Sequence, residues 1–265
     1  MKVVLFCGGM GLRLREYSDR VPKPMIPVGP EPILWHVMSY YRHYGHNEFV
    51  LCLGYQGNVI RDYLLSTGAQ LESVGSIGRG LHYDTFVHRI EGWRATCVET
   101  GLSASVGQRL RAVKPLLVDE DMFLANYSDV LSDVPLPLLV EELEKDPNMT
   151  AAMLCVRPSY TCHVMSWADE SSSRISGIAD MTRSSMWING GFFAFRPEIF
   201  DVLLPREELV EEPFGRLIAR GALAGVRYSG FWAPMDTFKE KVWFDQMYER
   251  GERPWCVWAS EAAVG

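Results

Sequence analysis

Two small groups of residues have the types and spacing that phosphate chemistry needs. The first is Gly8, Gly9 and Gly11 with Arg13 and Lys23, in the segments GGMGLRL and VPKPMIPVG. Glycine lacks a Cβ, so nearby backbone N–H groups can approach phosphate oxygens closely, while a guanidinium and an ammonium add charge-assisted donors. Taken singly, these glycines shape a strand-to-loop turn and the cations are solvated surface charges. Clustered at the end of a first strand, they mark a ligand crevice. A dinucleotide-binding G-x-G-x-x-G starting at Gly9 would require glycine where Leu14 stands, and no G-K-[ST] follows to make a Walker A loop. The second group is Asp129, directly after an apolar strand, and Asp236 in GFWAPMDT. Two loop-borne carboxylates can hold a hard cation such as Mg²⁺ together with phosphate oxygens. Either alone reads as a turn or capping residue, and Asp236 stands where a helix N-cap would.

The elements that must position these residues follow from apolar periodicity. VVLFCGG reads as a buried parallel strand ending in a glycine turn, and EFVLCLG as a second. Helical spacing covers 32–45, 58–65, 106–113 and 136–145. DMFLANYSD is a strand running into an acidic turn, MTAAMLCV and WINGGFFAF are further strands, and helices are expected at 198–204, 209–220 and 238–250. Strands alternating with helices imply an α/β protein with a Rossmann-like mixed, mainly parallel sheet flanked by helices. Residues 70–99 lack helical periodicity and suggest a small antiparallel β insertion. The polar segment 159–186 carries only weak strand signals, and no repeat or linker divides the chain, which reads as a single unit over 1–265.

With 48% hydrophobic and 22% charged residues, the chain is long enough to bury a large core. Its net charge of −7 gives no electrostatic footprint for duplex nucleic acid, so an anionic ligand must be met by local cations. The six cysteines form no C-x-x-C pair and read as small buried hydrophobes in a reducing compartment. No apolar run approaches the length of a membrane span, and a soluble cytoplasmic protein is expected. His36 and His43, two turns apart on one helix, read as packing or surface histidines. REELVEE (206–212) reads as a solvated helix face. The tryptophans read as core or contact residues, with Trp187 the candidate for stacking on a ligand. The aromatic stretch WFDQMYERGERPWCVW could form a homo-oligomer interface or close the protein's own core.

GGMGLRL with PKPMIPVG, then PILWHVM, GYQGNVIRDYL, VETG with GQRL, NYSDVLSD, INGGFF and GFWAPMDT occur in this order over roughly residues 1 to 258. This series resembles the sugar-1-phosphate cytidylyltransferases, a branch of the sugar nucleotidyltransferases. The resemblance implies a nucleotidyltransferase fold and Mg²⁺-dependent transfer of a cytidylyl group from CTP to a sugar 1-phosphate or related phosphorylated acceptor, with release of pyrophosphate. It implies that Gly8, Gly9 and Gly11 cradle the nucleotide, that Arg13 binds its β- and γ-phosphates, and that Lys23 binds near the α-phosphate. It further implies Mg²⁺ on Asp129 and Asp236, contacts to the cytidine half from Gly101 and Arg109, and a strand bearing Asn189 and Gly190 that faces the sugar. Relatives of this kind commonly assemble into oligomers.

The chain also departs from that pattern. Leu12 replaces a threonine, and Ser128 replaces the glycine of a Gly-Asp pair. The Glu-Lys-Pro motif expected before INGG falls on Ala179, Asp180 and Met181, and YTCHVMSW replaces an RFG-like segment. The missing lysine would pair with the sugar phosphate, whereas an aspartate there repels it. Either a neighbouring base such as Arg183 or Arg174 takes that role for an altered acceptor, or a conventional sugar 1-phosphate binds with a shifted loop, or the chain is an inactive nucleotide-binding or regulatory homologue.

Overall fold

A computed structural model of the chain describes residues 1–11, 21–78, 80–159, 162–183 and 185–259. Arg13, with Leu12, lies outside the described residues. The apolar runs become strands and the amphipathic ones helices. In chain order these are β1 (Val3–Phe6), β2 (Pro27–Val28), β3 (Glu31–Pro32), α1 (Ile33–His43), β4 (Glu48–Leu53) and α2 (Gly57–Ser66). Then come β5 (Gln70–Ile77), β6 (Leu81–His88), β7 (Trp93–Glu99), α3 (Val106–Ala112), β8 (Phe123–Asn126), β9 (Val130–Ser132) and α4 (Pro137–Lys145). The remainder is β10 (Ala151–Val156), β11 (His163–Trp167), β12 (Ile175–Asp180), β13 (Ile188–Phe195), α5 (Ile199–Val202), α6 (Glu212–Ala219), β14 (Leu223–Tyr228), β15 (Trp232–Pro234) and α7 (Phe238–Glu249).

Among the described residues nine strands form one mixed sheet in the order β14-β10-β13-β8-β1-β4-β7-β6-β5. All but β6 and β13 run the same way. The carboxyl ends of β1, β4, β7, β8, β10 and β14 therefore open on one edge, and β13 starts there. β1 is buried along its whole length because helices cover both faces of the sheet. Leu5, Leu124, Leu154 and Phe192 pack on one face, and Phe6, Phe123, Phe193 and Phe195 on the other.

The strands of 70–99 are antiparallel, and they widen the main sheet because β7 also pairs in parallel with β4. The segment 159–186 makes a separate ribbon of β11 and β12. REELVEE is not a helix face. Leu209 is fully buried, Glu207 pairs with Arg216, and α6 begins only at Glu212 with Pro213 in its first turn. His36 packs as expected: Nε2–H donates to Val28 O at 2.9 Å, and the Trp255 indole N–H donates to Nδ1 at 3.3 Å. Burial pushes its pKa down to about 4, which keeps the ring in the neutral form those two bonds require. Among the described residues no helix is long and apolar enough to cross a membrane.

Candidate active site

Lys23 opens a single 3₁₀ turn between Pro22 and the buried Pro24, so its backbone is pinned by two rings. Its ammonium donates to Asp129 Oδ2 at 2.6 Å and to Asp236 Oδ1 at 2.5 Å. Three remote segments thus meet at one point, with all three side chains mostly covered. Two pairings place the carboxylates. Asp129 ends the turn after β8, and Asp236 stands two residues beyond β15, which pairs antiparallel with β9 so that Met235 N–H donates to Asp129 O at 2.9 Å. Asp236 is not the N-cap of α7. Thr237 is, in a reciprocal box with Glu240, whose carboxylate also accepts from the Asp236 N–H at 2.6 Å. The Asp236 side chain is thereby left to reach Lys23.

Burial alone would lower the pKa of Lys23, but the two carboxylates outweigh it and hold the ammonium above its ordinary range. Burial raises the Asp129 carboxyl, opposed by Lys23 and reinforced by Asp236. One ammonium against two carboxylates leaves the cluster a net −1, and both carboxylates converge on a single point, so a further cation fits the donor set. Among the described residues no group of three or more His, Cys, Asp or Glu side chains could hold a metal, so a cation here would need oxygens from a ligand.

Ser128 sits at φ +65°, in the left-handed region, with its N–H on Asn126 Oδ1 at 2.7 Å and its hydroxyl on Phe6 O at 2.9 Å. That conformation explains why a glycine suits the position. Ser128→Ala keeps the strain and loses a buried hydrogen bond, so it is expected to cost about 1–2 kcal/mol. Ser128→Gly relieves the strain and is expected to lower the thermal midpoint less. Equal losses in a melting experiment would overturn this account of the turn.

The glycine loop follows β1 on the same edge. Arg109 lies behind it. Arg109 is 4% exposed, and its guanidinium donates to Leu53 O at 3.0 Å, Thr100 Oγ1 at 2.7 Å and Gly8 O at 3.0 Å. It therefore ties together the loops leaving β4, β7 and β1, and burial lowers its pKa. A Cβ on Gly8 would stand 1.9 Å from Arg109 Nη1, and one on Gly54 2.7 Å from Gly8 O, so close approach demands glycine at both. Gly9 and Gly101 are exposed at the rim of this edge.

At the other end of the edge, Asn189 Nδ2 donates to the Tyr127 hydroxyl at 2.8 Å. Gly190 is buried, with its carbonyl taken by the Trp232 indole N–H at 2.7 Å, and a Cβ there would press on Leu154. Close packing against Leu154 therefore calls for glycine at this position. Trp187 has guanidinium groups against it, with Arg157 at 4.1 Å and Arg227 at 5.6 Å from its ring centroid. Sequence reasoning missed Tyr127, Arg157 and Arg227. The available signal was position: Arg157 directly follows β10, at the strand end where ligands gather. Arg174 lies at the tip of the β11–β12 ribbon, the opposite end from Asp180, so it is not placed to replace the missing lysine. Arg183 follows Asp180 in a 3₁₀ turn at the ribbon's base.

A family model described as nucleotidyl transferase matches residues 2–85. The chain is 31% identical over 260 residues to the glucose-1-phosphate cytidylyltransferase of Salmonella typhi, covering 97% of this chain and 100% of that protein. The chain belongs to the nucleotidyl transferase family. This nucleotidyl transferase is also 26% identical over 242 residues to mannose-1-phosphate guanylyltransferase 1 of Arabidopsis thaliana, covering 88% of this chain and 60% of that protein. The solved structure of a UDP-glucose pyrophosphorylase complexed with UDP-glucose superposes with a TM-score of 0.66 at 13% identity, over 94% of this chain and 98% of that one, which shows the shared nucleotidyltransferase fold.

Proposed function

We propose that this nucleotidyl transferase moves a cytidylyl group from CTP to a sugar 1-phosphate or related phosphorylated acceptor and releases pyrophosphate. The observation that carries the reading is the Lys23 ammonium held jointly by Asp129 and Asp236, on the sheet edge where the glycine loop also ends. An acceptor phosphate oxygen attacks the α-phosphorus of CTP. A new P–O bond forms as the bond to the α,β-bridging oxygen breaks opposite it, and pyrophosphate leaves with that electron pair. No side-chain nucleophile is needed, so the chain's task is positioning and charge neutralisation.

In this reading Gly8, Gly9, Gly11 and Arg13 bind the triphosphate, Lys23 meets the α-phosphate, and Asp129 with Asp236 hold Mg²⁺, which neutralises phosphate charge. Arg109 acts from behind by fixing the loops that include Gly8 and Gly101. Asn189 and Trp187 line the acceptor side. The preference for CTP is supported by the higher identity to the cytidylyl relative, 31% against 26% for the guanylyl one.

Calorimetric titration of CTP with and without Mg²⁺ tests the nucleotide half. Wild type is expected to bind CTP only with Mg²⁺, and Asp129→Ala to weaken that binding by at least about tenfold, or about 1.4 kcal/mol. Mg²⁺-independent binding that survives Asp129→Ala would overturn the site. Pyrophosphate release on adding acceptor then separates a transferase from an inactive homologue.

A further inference from the structure

In the strand register, Cys155 of β10 stands opposite both Asn189 of β13 and Arg227 of β14. Side chains alternate along a strand, so Arg157, two residues beyond Cys155, and Trp187, two before Asn189, fall on the same face as that row. The contacts agree: the guanidinium groups of Arg157 and Arg227 both lie against the Trp187 ring. Arg157 also donates to Met186 O at 3.1 Å, which fixes it to the segment entering β13.

Two guanidinium groups on one indole make a local concentration of positive charge and forked donors that suits an anion. The chain as a whole carries −7, so this is local charge, not part of a basic surface. The cluster sits on the edge that carries Asp129, linked to it through Asn189 and Tyr127, two residues before Asp129. Meanwhile Asp180, which stands where the family's lysine is expected, turns its carboxylate onto its own backbone. Its Oδ1 accepts from Thr182 N and Thr182 Oγ1, both at 2.9 Å.

We infer that Arg157 and Arg227, held about Trp187, form the subsite that binds the phosphate of the acceptor, in place of the absent lysine. The inference rests on the transferase reading, which it deepens by naming what recognises the acceptor. An indole floor with two forked donors suits a phosphate carried on a sugar ring, because the ring can lie on the aromatic edge while the guanidinium groups take the phosphate oxygens.

The test uses glucose 1-phosphate with CTP in steady-state pyrophosphate release, and inorganic phosphate in a tryptophan fluorescence titration. Arg157→Ala and Arg227→Ala are each expected to raise the KM for glucose 1-phosphate by about 10- to 100-fold, the worth of one charge-assisted hydrogen bond. CTP affinity by calorimetry should stay unchanged, and Arg227→Lys should recover part of the loss. Phosphate should change the emission of wild type, and Trp187→Phe and Arg227→Ala should each remove that change. Turnover with an unaltered KM in both alanine variants would overturn the subsite and leave the transferase reading intact. No pyrophosphate release by wild type from CTP with glucose 1-phosphate or any of a panel of other phosphorylated sugars, with a phosphate response lost in Arg227→Ala, would overturn the transferase reading and leave an anion-binding subsite standing.

Discussion

Lys23→Ala is expected to slow pyrophosphate release by about 10²–10³-fold, the usual cost of removing one preorganised donor to developing phosphate charge. The geometry makes this residue central twice over. Its ammonium is held on Asp129 and Asp236 and is kept charged by them, so it is ready to neutralise phosphate without reorganising. Its removal also leaves two mostly covered carboxylates facing one point, where like charges repel and one of them must take a proton or a cation. Mg²⁺-dependent CTP binding measured by calorimetry should therefore persist in Lys23→Ala while the rate falls. A rate equal to wild type would remove Lys23 from the chemistry, and loss of that binding would make it a support for the carboxylates alone.

The largest expected effect on stability is that of Trp255→Ala, at about 3–5 kcal/mol. Trp255 is 1% exposed and lies against Phe231, Phe244 and His36, so its loss opens a cavity where three elements meet. Phe244 belongs to α7, whose capped start follows Asp236 directly. The same substitution should thus loosen the segment that presents one of the two carboxylates. For a chain of this size each kcal/mol shifts the thermal midpoint by roughly 2–4 °C. Calorimetric melting should show a drop in that proportion, with weaker Mg²⁺-dependent CTP binding at temperatures where the variant is still folded. A midpoint unchanged from wild type would mean that the C-terminal aromatic stretch does not close the core.

Much of the architecture was legible because period and burial are local properties. A strand covered on both faces must be apolar throughout, as in VVLF, and a helix with one covered face repeats its apolar residues every three to four positions, as in 33–43. The candidate site is legible as residue types in context: Lys23 between two prolines after the glycine loop, Asp129 after an apolar strand and Asp236 in GFWAPMDT. Short elements were less visible. β9 and β15 have only three residues each, too few for a period to register, and the charges of REELVEE mask the fully buried Leu209 within it.

The amino-acid sequence by itself thus determined the α/β class, the order of the principal strands and helices, and a set of residue types suited to a polyphosphate. Only the tertiary structure decided that Asp129 and Asp236 share one ammonium, because that depends on the β9–β15 pairing between segments far apart in the chain. It also decided that Arg109 ties loops together from behind and that Arg157 and Arg227 meet at Trp187. Nothing local marks those roles. A cation's function follows from what surrounds its charge, and the surroundings are set by strand register and packing between residues that are not neighbours in sequence.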